Sequence, residues 1–313
     1  MALSFLSRKA RVVTVTIEED AIRHVELKSA SPLALNCAEE MDLPEGIIED
    51  GKIVDAEALG SILDKAVNQW GISRKSVRFL APDEFVIIRK TPYPEDIEPD
   101  ELKGHFFIEM GSTLYLPFDD PVFDVVPHTT NKEETEAIII ASKESVVRDY
   151  ERALEEAKLK PVVADVAPLA LYRLGHLQHD FTPDEHIMLI DVQFTKMTVS
   201  IFHEHYPLFM RSVDFELLMG AGQNDEDAIT SFIETEAEKL ANFYRYNMNN
   251  GDQGITCVIC SGEFSDWLRF QSRLESRFGV SVMPLVTQDI PSNNAARVTG
   301  RFNRAIGLAL KEV

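Results

Sequence analysis

The stretch VVTVTIEEDAIRHVEL, residues 12–27, carries the reading on which the fold turns. Apolar and polar side chains alternate in residues 12–17 and again in 22–27, the period of two that sends every second side chain to one face of a strand. Between the arms, residues 18–21 (Glu18, Glu19, Asp20 and Ala21) form a short acidic turn, so the segment reads as a β-hairpin. The layout returns 175 residues later in IMLIDVQFTKMTVSIF, residues 187–202, with a strand at 187–190, a turn at 191–196 and a strand at 197–202. A third strand, 208–213, follows a turn at 204–207. Two like hairpins in the two halves of one chain imply a duplicated domain.

Working outward, residues 55–70 predict a helix with Asp55 as its N-cap and one apolar stripe from Ala58 to Trp70. Strands are expected at 77–81 and 85–89, and the Pro-rich acidic run 91–100 breaks the pattern. Beyond it come a helix at 101–110, a turn at 116–121, strands at 122–127 and 137–141, a helix at 143–159 and a strand at 161–165. This alternation describes an inserted α/β subdomain. In the second half the longest helix is expected at 228–248, then a strand at 255–260, a helix at 264–278, a strand at 280–284 and a last short helix at 301–310.

Composition narrows the function. The 313 residues hold 31 Lys and Arg against 52 Asp and Glu, a formal charge of −21 that opposes binding to nucleic acid or an anionic lipid surface and favours a basic peptide. No apolar run nears the roughly 18 residues of a membrane-spanning helix, so a soluble chain is expected. The opening MALSFLSRKAR is too short in its apolar part for a signal peptide, and its charges follow that part, which implies a cytoplasmic chain with a frayed terminus. Three cysteines cannot form a disulfide framework in a chain this long. Cys257 and Cys260 make a C-x-x-C, but a strand puts positions i and i+3 on opposite faces, so the pair reads as core.

Four segments carry a resemblance: LPEGIIEDGKIVDA (43–56), FIEMGSTLYLPFDD (107–120), SKESVVRDYERALEEAKLKPVVADVAPLAL (142–171) and AIGLAL (305–310). Together they resemble the type IV pilus assembly protein PilM family, relatives of the division protein FtsA. The resemblance implies an actin-like, ribonuclease H-like duplicated α/β fold of two lobes with an inserted α/β subdomain. Laid on this chain it gives a first lobe at 1–89, the insertion at 90–164, the return of the first lobe at 165–185 and the second lobe at 186–313. It also implies a cytoplasmic scaffold, peripheral to the inner membrane, that captures the N-terminal tail of PilN, a single-pass inner-membrane protein, and couples the alignment complex to the pilus motor.

The chain departs from actin-like ATPases at the nucleotide loops, which there follow Asp-x-Gly-Ser/Thr. Glycine lets backbone N–H groups close around phosphates. Here the first loop holds Glu18 and Glu19, the second holds Asp191, Gln193 and Thr195, and both glycines are gone. Two anions about 4 Å apart repel by roughly 4 kcal/mol at an effective dielectric near 20, so the first loop disfavours a triphosphate. Of the adenosine loop only Ser261 and Gly262 remain, followed by Glu263 and Phe264. The loop with Gly220, Ala221 and Gly222 runs into Asp225, Glu226 and Asp227, which repel anions. The expectation is vestigial loops and no cofactor, with an ATPase that holds Mg-ATP in atypical loops as the alternative.

Other constellations read as structural. His203 and His205 flank Glu204 in a turn without a third metal ligand, and His176 and His179 share a helical face; exposed polar residues are expected in both cases. No Ser-His-Asp set or carboxylate pair assembles from spacing. For the peptide groove, which the resemblance puts between the first lobe and the insertion, the candidates are Arg89, Phe107, Tyr115, Pro117 and Phe118. An extended tail would bond to a free strand edge while its apolar side chains fill pockets. Phe118→Asp is expected to abolish tail binding without unfolding the chain, unless Phe107 and Phe118 belong to the subdomain core.

Overall fold

A computed structural model describes residues 12–131, 134–193, 195–215, 226–263, 266–294 and 298–312. The N-terminal segment 1–11, the loop with Gly220, Ala221, Gly222 and Asp225, and Phe264 lie outside the described residues.

The first hairpin forms as its alternation predicts: β1 (Val13–Ile17) pairs antiparallel with β2 (Ala21–Ala30), Thr14 facing Val25 and Ile17 facing Ile22. A further strand, β3 (Leu33–Asp42), pairs with β2. Its register slips twice near Leu27, which disrupts the two-residue period that would have announced it. After the small ribbon of β4 (Ile48–Glu49) and β5 (Lys52–Ile53) comes α1 (Ala56–Trp70). Asp55 caps α1 by accepting a hydrogen bond from the Ala58 N–H, and Gly71 closes it in the left-handed region at φ 66°. Leu59 and Leu63 of its stripe are fully buried, a contribution of about 2 kcal/mol each. Two parallel strands, β6 (Ser76–Ala81) and β10 (Lys160–Val166), complete a sheet ordered β3-β2-β1-β6-β10.

The second hairpin repeats this plan. β11 (Ile187–Val192) pairs antiparallel with β12 (Lys196–His203), β12 with β13 (Tyr206–Asp214), and two parallel strands, β14 (Cys257–Ser261) and β15 (Ser281–Pro284), follow on the other side. The order β13-β12-β11-β14-β15 matches the first sheet strand for strand. This sheet continues beyond β13, through the pairing of Phe209 with Arg89, into β7 (Val86–Pro92), which straddles the expected boundary at 89, and on into the insertion's β9 (Glu134–Lys143) and β8 (Pro121–Asn131). Among the described residues strand β8 is the free edge. A separate small core of Leu102, Phe106, Leu114, Phe123 and Ile139 packs α2 (Leu102–Glu109) on β8 and β9.

The helix α3 (Glu144–Glu156) packs on α1 and β10. Strand β10, which the sequence division assigns to the insertion, thus lies in the first sheet. Two helices sit between the lobes: α4 (Ala167–His179), of which the sequence showed only the shared face of His176 and His179, and α7 (Asn303–Ala309). Leu171, Leu174, Ala305 and Ile306 share one core with Val25 and Leu35 of the first sheet and Ile187 and Leu189 of the second. The second sheet also carries α5 (Glu226–Phe243), whose end widens into a π-helical turn at Tyr244–Met248, and α6 (Trp267–Phe278), capped by Asp266.

Candidate functional site

Duplication brings the two hairpin tips to the same cleft. Each is closed by the same bond, the Glu18 N–H to the Ala21 carbonyl at 3.0 Å and the Gln193 N–H to the Lys196 carbonyl at 2.7 Å. Into the space between them comes Arg304 from α7. Its Nε donates to Asp191 at 2.6 Å and its Nη2 to Asp83 at 2.7 Å, while the Thr198 hydroxyl donates to Asp83 at 2.9 Å and Gln193 Nε2 to Asp191 at 3.1 Å.

Three further cations finish the closure. Lys196 bonds Glu19 at 2.7 Å and Glu84 at 2.8 Å, with Asp50 at 3.3 Å. Burial works against its ammonium, but the bonds to Glu19 and Glu84 outweigh that and raise its pKa. On the other side Arg23 reaches Glu18 at 3.1 Å, Asp20 at 2.6 Å and Glu40 at 2.5 Å, and Arg301 meets Asp20 at 2.6 Å. The space left is about 70 Å³, room for a handful of waters.

Acids still outnumber bases at the centre. Burial raises the Glu18 carboxyl above the usual range despite Arg23 and Arg304, and burial lifts Asp83 to about 6 although Arg304 pulls it down. One oxygen each of Glu18, Asp83 and Asp191 is buried without a hydrogen-bond partner among the described residues. Such oxygens attract a cation, but these three carboxylates do not converge. Among the described residues the one group of three metal-binding side chains with ligand atoms within 4.8 Å lies elsewhere.

Beside the cleft, toward α5 and α6, lies a larger cavity of about 550 Å³ lined in part by Gln193, Phe215, Gly262, Glu263, Arg269 and Arg301. Gly262 has a packing reason of its own: at φ 125°, a Cβ there would stand 2.4 Å from the Val192 carbonyl oxygen. Thr195 receives the Phe215 N–H on its carbonyl at 2.8 Å and lines the small cleft. The sequence reading found the acids of both tips and missed the residues that neutralise them. Arg304 carried a signal, a cation inside the apolar run of a C-terminal helix, but its partners lie more than 100 residues away.

The groove candidates divide. Arg89 and Tyr115 come together, Arg89 Nη1 donating to the Tyr115 carbonyl at 3.0 Å. Phe107 is 71% exposed and Tyr115 67%, with Ile108 at 77% beside them in sequence; Pro117 is exposed too. Phe118 is half-buried against the insertion's own core. Val122 and Val126 stand exposed on the free edge strand β8. His176 and His205 are exposed, as expected, whereas the expectation needs correcting for His203 and His179. His203 is half-buried and stacks on His186 at 3.9 Å between ring centroids, half-buried His179 contacts the Pro284 carbonyl, and exposed His205 bonds the Tyr172 hydroxyl at 2.8 Å. Aromatic neighbours and carbonyls hold these rings, which a reading of spacing alone misses.

Two sheets of one strand order, facing hairpin tips and a helix pair between them define an actin-like protein whose interlobe cleft is filled by its own ion pairs. The chain belongs to the type IV pilus assembly protein PilM family, whose model matches residues 14–241. A solved structure described as a PilM-PilN type IV pilus biogenesis complex is similar with a TM-score of 0.73 at 19% identity, over 96% of this chain and 98% of that one. The cytoplasmic domain of EpsL, an inner-membrane component of the type II secretion system of Vibrio cholerae, is similar at 0.51 and 11% identity, over 96% of each chain. No curated protein matches in sequence.

Proposed function

We propose that this chain is a scaffold of type IV pilus assembly that holds the N-terminal cytoplasmic tail of a PilN-like single-pass membrane protein and turns over no nucleotide. The closed cleft carries the reading: Arg304 and Lys196 already occupy the positions between the hairpin tips where a phosphate chain would need room and cations. The vestigial loop residues Glu18, Glu19, Asp191, Gln193 and Thr195 then serve as lobe-to-lobe ion-pair and hydrogen-bond partners. The tail lies along the insertion, where Arg89, Phe107, Tyr115 and Pro117 offer exposed surface over a floor that includes Phe118, and it bonds to the free β8 edge. No helix among the described residues is long and apolar enough to cross a membrane, so the chain reaches the inner membrane through this partner and links it to the motor.

A second reading, an actin-like ATPase holding Mg-ATP, draws on the cavity of about 550 Å³ beside the cleft, which is roomy enough for a nucleoside. Calorimetry of the whole chain separates the two. The scaffold reading expects a synthetic tail peptide to bind in nucleotide-free buffer and Mg-ATP to give no heat. Saturable Mg-ATP binding with release of phosphate would overturn it.

A further inference from the structure

Strand pairing brings three metal-binding side chains to one place outside the cleft. His24 and Glu26 are two apart on β2 and so share a face, and the register sets Cys37 of β3 directly opposite Glu26. Their ligand atoms all lie within 4.8 Å of one another. We infer that His24, Glu26 and Cys37 form a zinc-binding site on the first lobe, a role independent of the scaffold reading.

Each donor is prepared for it. A carbonyl can only accept, so the 2.8 Å contact between His24 Nδ1 and the Thr14 carbonyl fixes the ring proton on Nδ1 and leaves the Nε2 lone pair for a metal. The ring is held against Trp70, the last residue of α1, at 5.6 Å between centroids. Asn36 Nδ2 donates to Glu26 Oε1 at 3.0 Å and orients that carboxylate. Cys37, unlike the buried Cys257 and Cys260, is half-exposed, so an ion can reach it. A thiolate, an imidazole and a carboxylate suit zinc rather than magnesium or calcium, and the two anionic donors neutralise its two charges. Donors around tetrahedral zinc sit roughly 3.3–3.8 Å apart for bonds of about 2.0–2.3 Å, so donors no more than 4.8 Å apart need close by at most about 1.5 Å, a shift open to the half-exposed Glu26 and Cys37. Glu39, across from His24, is engaged by Asn294 at 3.0 Å, which leaves the fourth position to water or an incoming ligand.

Binding is balanced by one proton: the Cys37 thiol gives up its hydrogen to solvent as the sulfur bonds the ion.

The test is titration of the whole chain with cobalt(II), then zinc. The site predicts one equivalent of cobalt, a thiolate-to-cobalt charge-transfer band in the near ultraviolet, displacement by zinc, and a change in Trp70 fluorescence. Cys37→Ser should remove the band and Glu26→Gln should weaken binding at least tenfold, both with unchanged melting. In the unaltered chain, zinc should slow alkylation of Cys37, read by mass spectrometry. A missing thiolate band, equal cobalt binding by Cys37→Ser, or alkylation indifferent to zinc would overturn the site.

Discussion

Arg304 is the residue on which the cleft depends, because it is the cation that Asp83 and Asp191 share. Replacing it with Ala leaves two buried carboxylates uncompensated, and Arg304→Ala is expected to cost about 3–5 kcal/mol, read by urea denaturation. Asp83 itself should titrate near 6 in the folded chain, against 3.8 as an ordinary carboxyl, because burial favours its neutral form. The native state then binds this proton more tightly than the unfolded one. The contribution is fully present below about pH 4 and is lost as pH rises through about 6, on the order of 3 kcal/mol in all. Comparing Asp83→Asn with the unaltered chain between pH 4 and 7 checks the sign: the variant should gain relative stability as pH rises. Neither residue was legible as part of the site in the sequence. Ion pairing across more than 100 residues leaves no local pattern, whereas the carboxylates at the two hairpin tips were visible from the alternation around them.

At the scale of elements, glycines in two helices separate packing from propensity. Gly307 of α7 lies where that helix crosses α4, and a Cβ there would stand 2.1 Å from the Ala170 carbonyl oxygen. Gly307→Ala should therefore destabilise by about 2–3 kcal/mol, since backbone must move apart to admit the methyl group. Gly60 of α1 meets nothing within 4 Å, and Gly60→Ala should stabilise by about 1 kcal/mol through helix propensity. Thermal melts of the two variants should move in opposite directions. Elements with an unbroken period were read correctly, α1 with its Asp55 cap among them. Strand β3 escaped because its register slips, and the body of α4 before His176 because it is buried by both lobes and has no strong apolar stripe to announce it.

At the scale of the molecule, the shared strand order of the two sheets is the duplication that the paired hairpins announced. What the pattern did not show is that the insertion extends the second sheet and leaves β8 as a free edge, since one strand-to-strand pairing, Phe209 with Arg89, decides it. Of the groove candidates, exposure separates Phe107 and Tyr115, open to a partner, from Phe118, part of the insertion's packing, a distinction that side-chain type alone does not make. A chain of net charge −21 should attract a basic tail from a distance, so the association rate should fall as salt rises from low to physiological strength. The most direct test of the scaffold account is the affinity of a synthetic PilN-like tail for the whole chain and for the double variant Phe107→Asp with Ile108→Asp, without nucleotide. The account predicts binding by the unaltered chain and at least a tenfold loss in the variant at an unchanged melting temperature. Equal binding by both, or binding only once Mg-ATP is added, would contradict it.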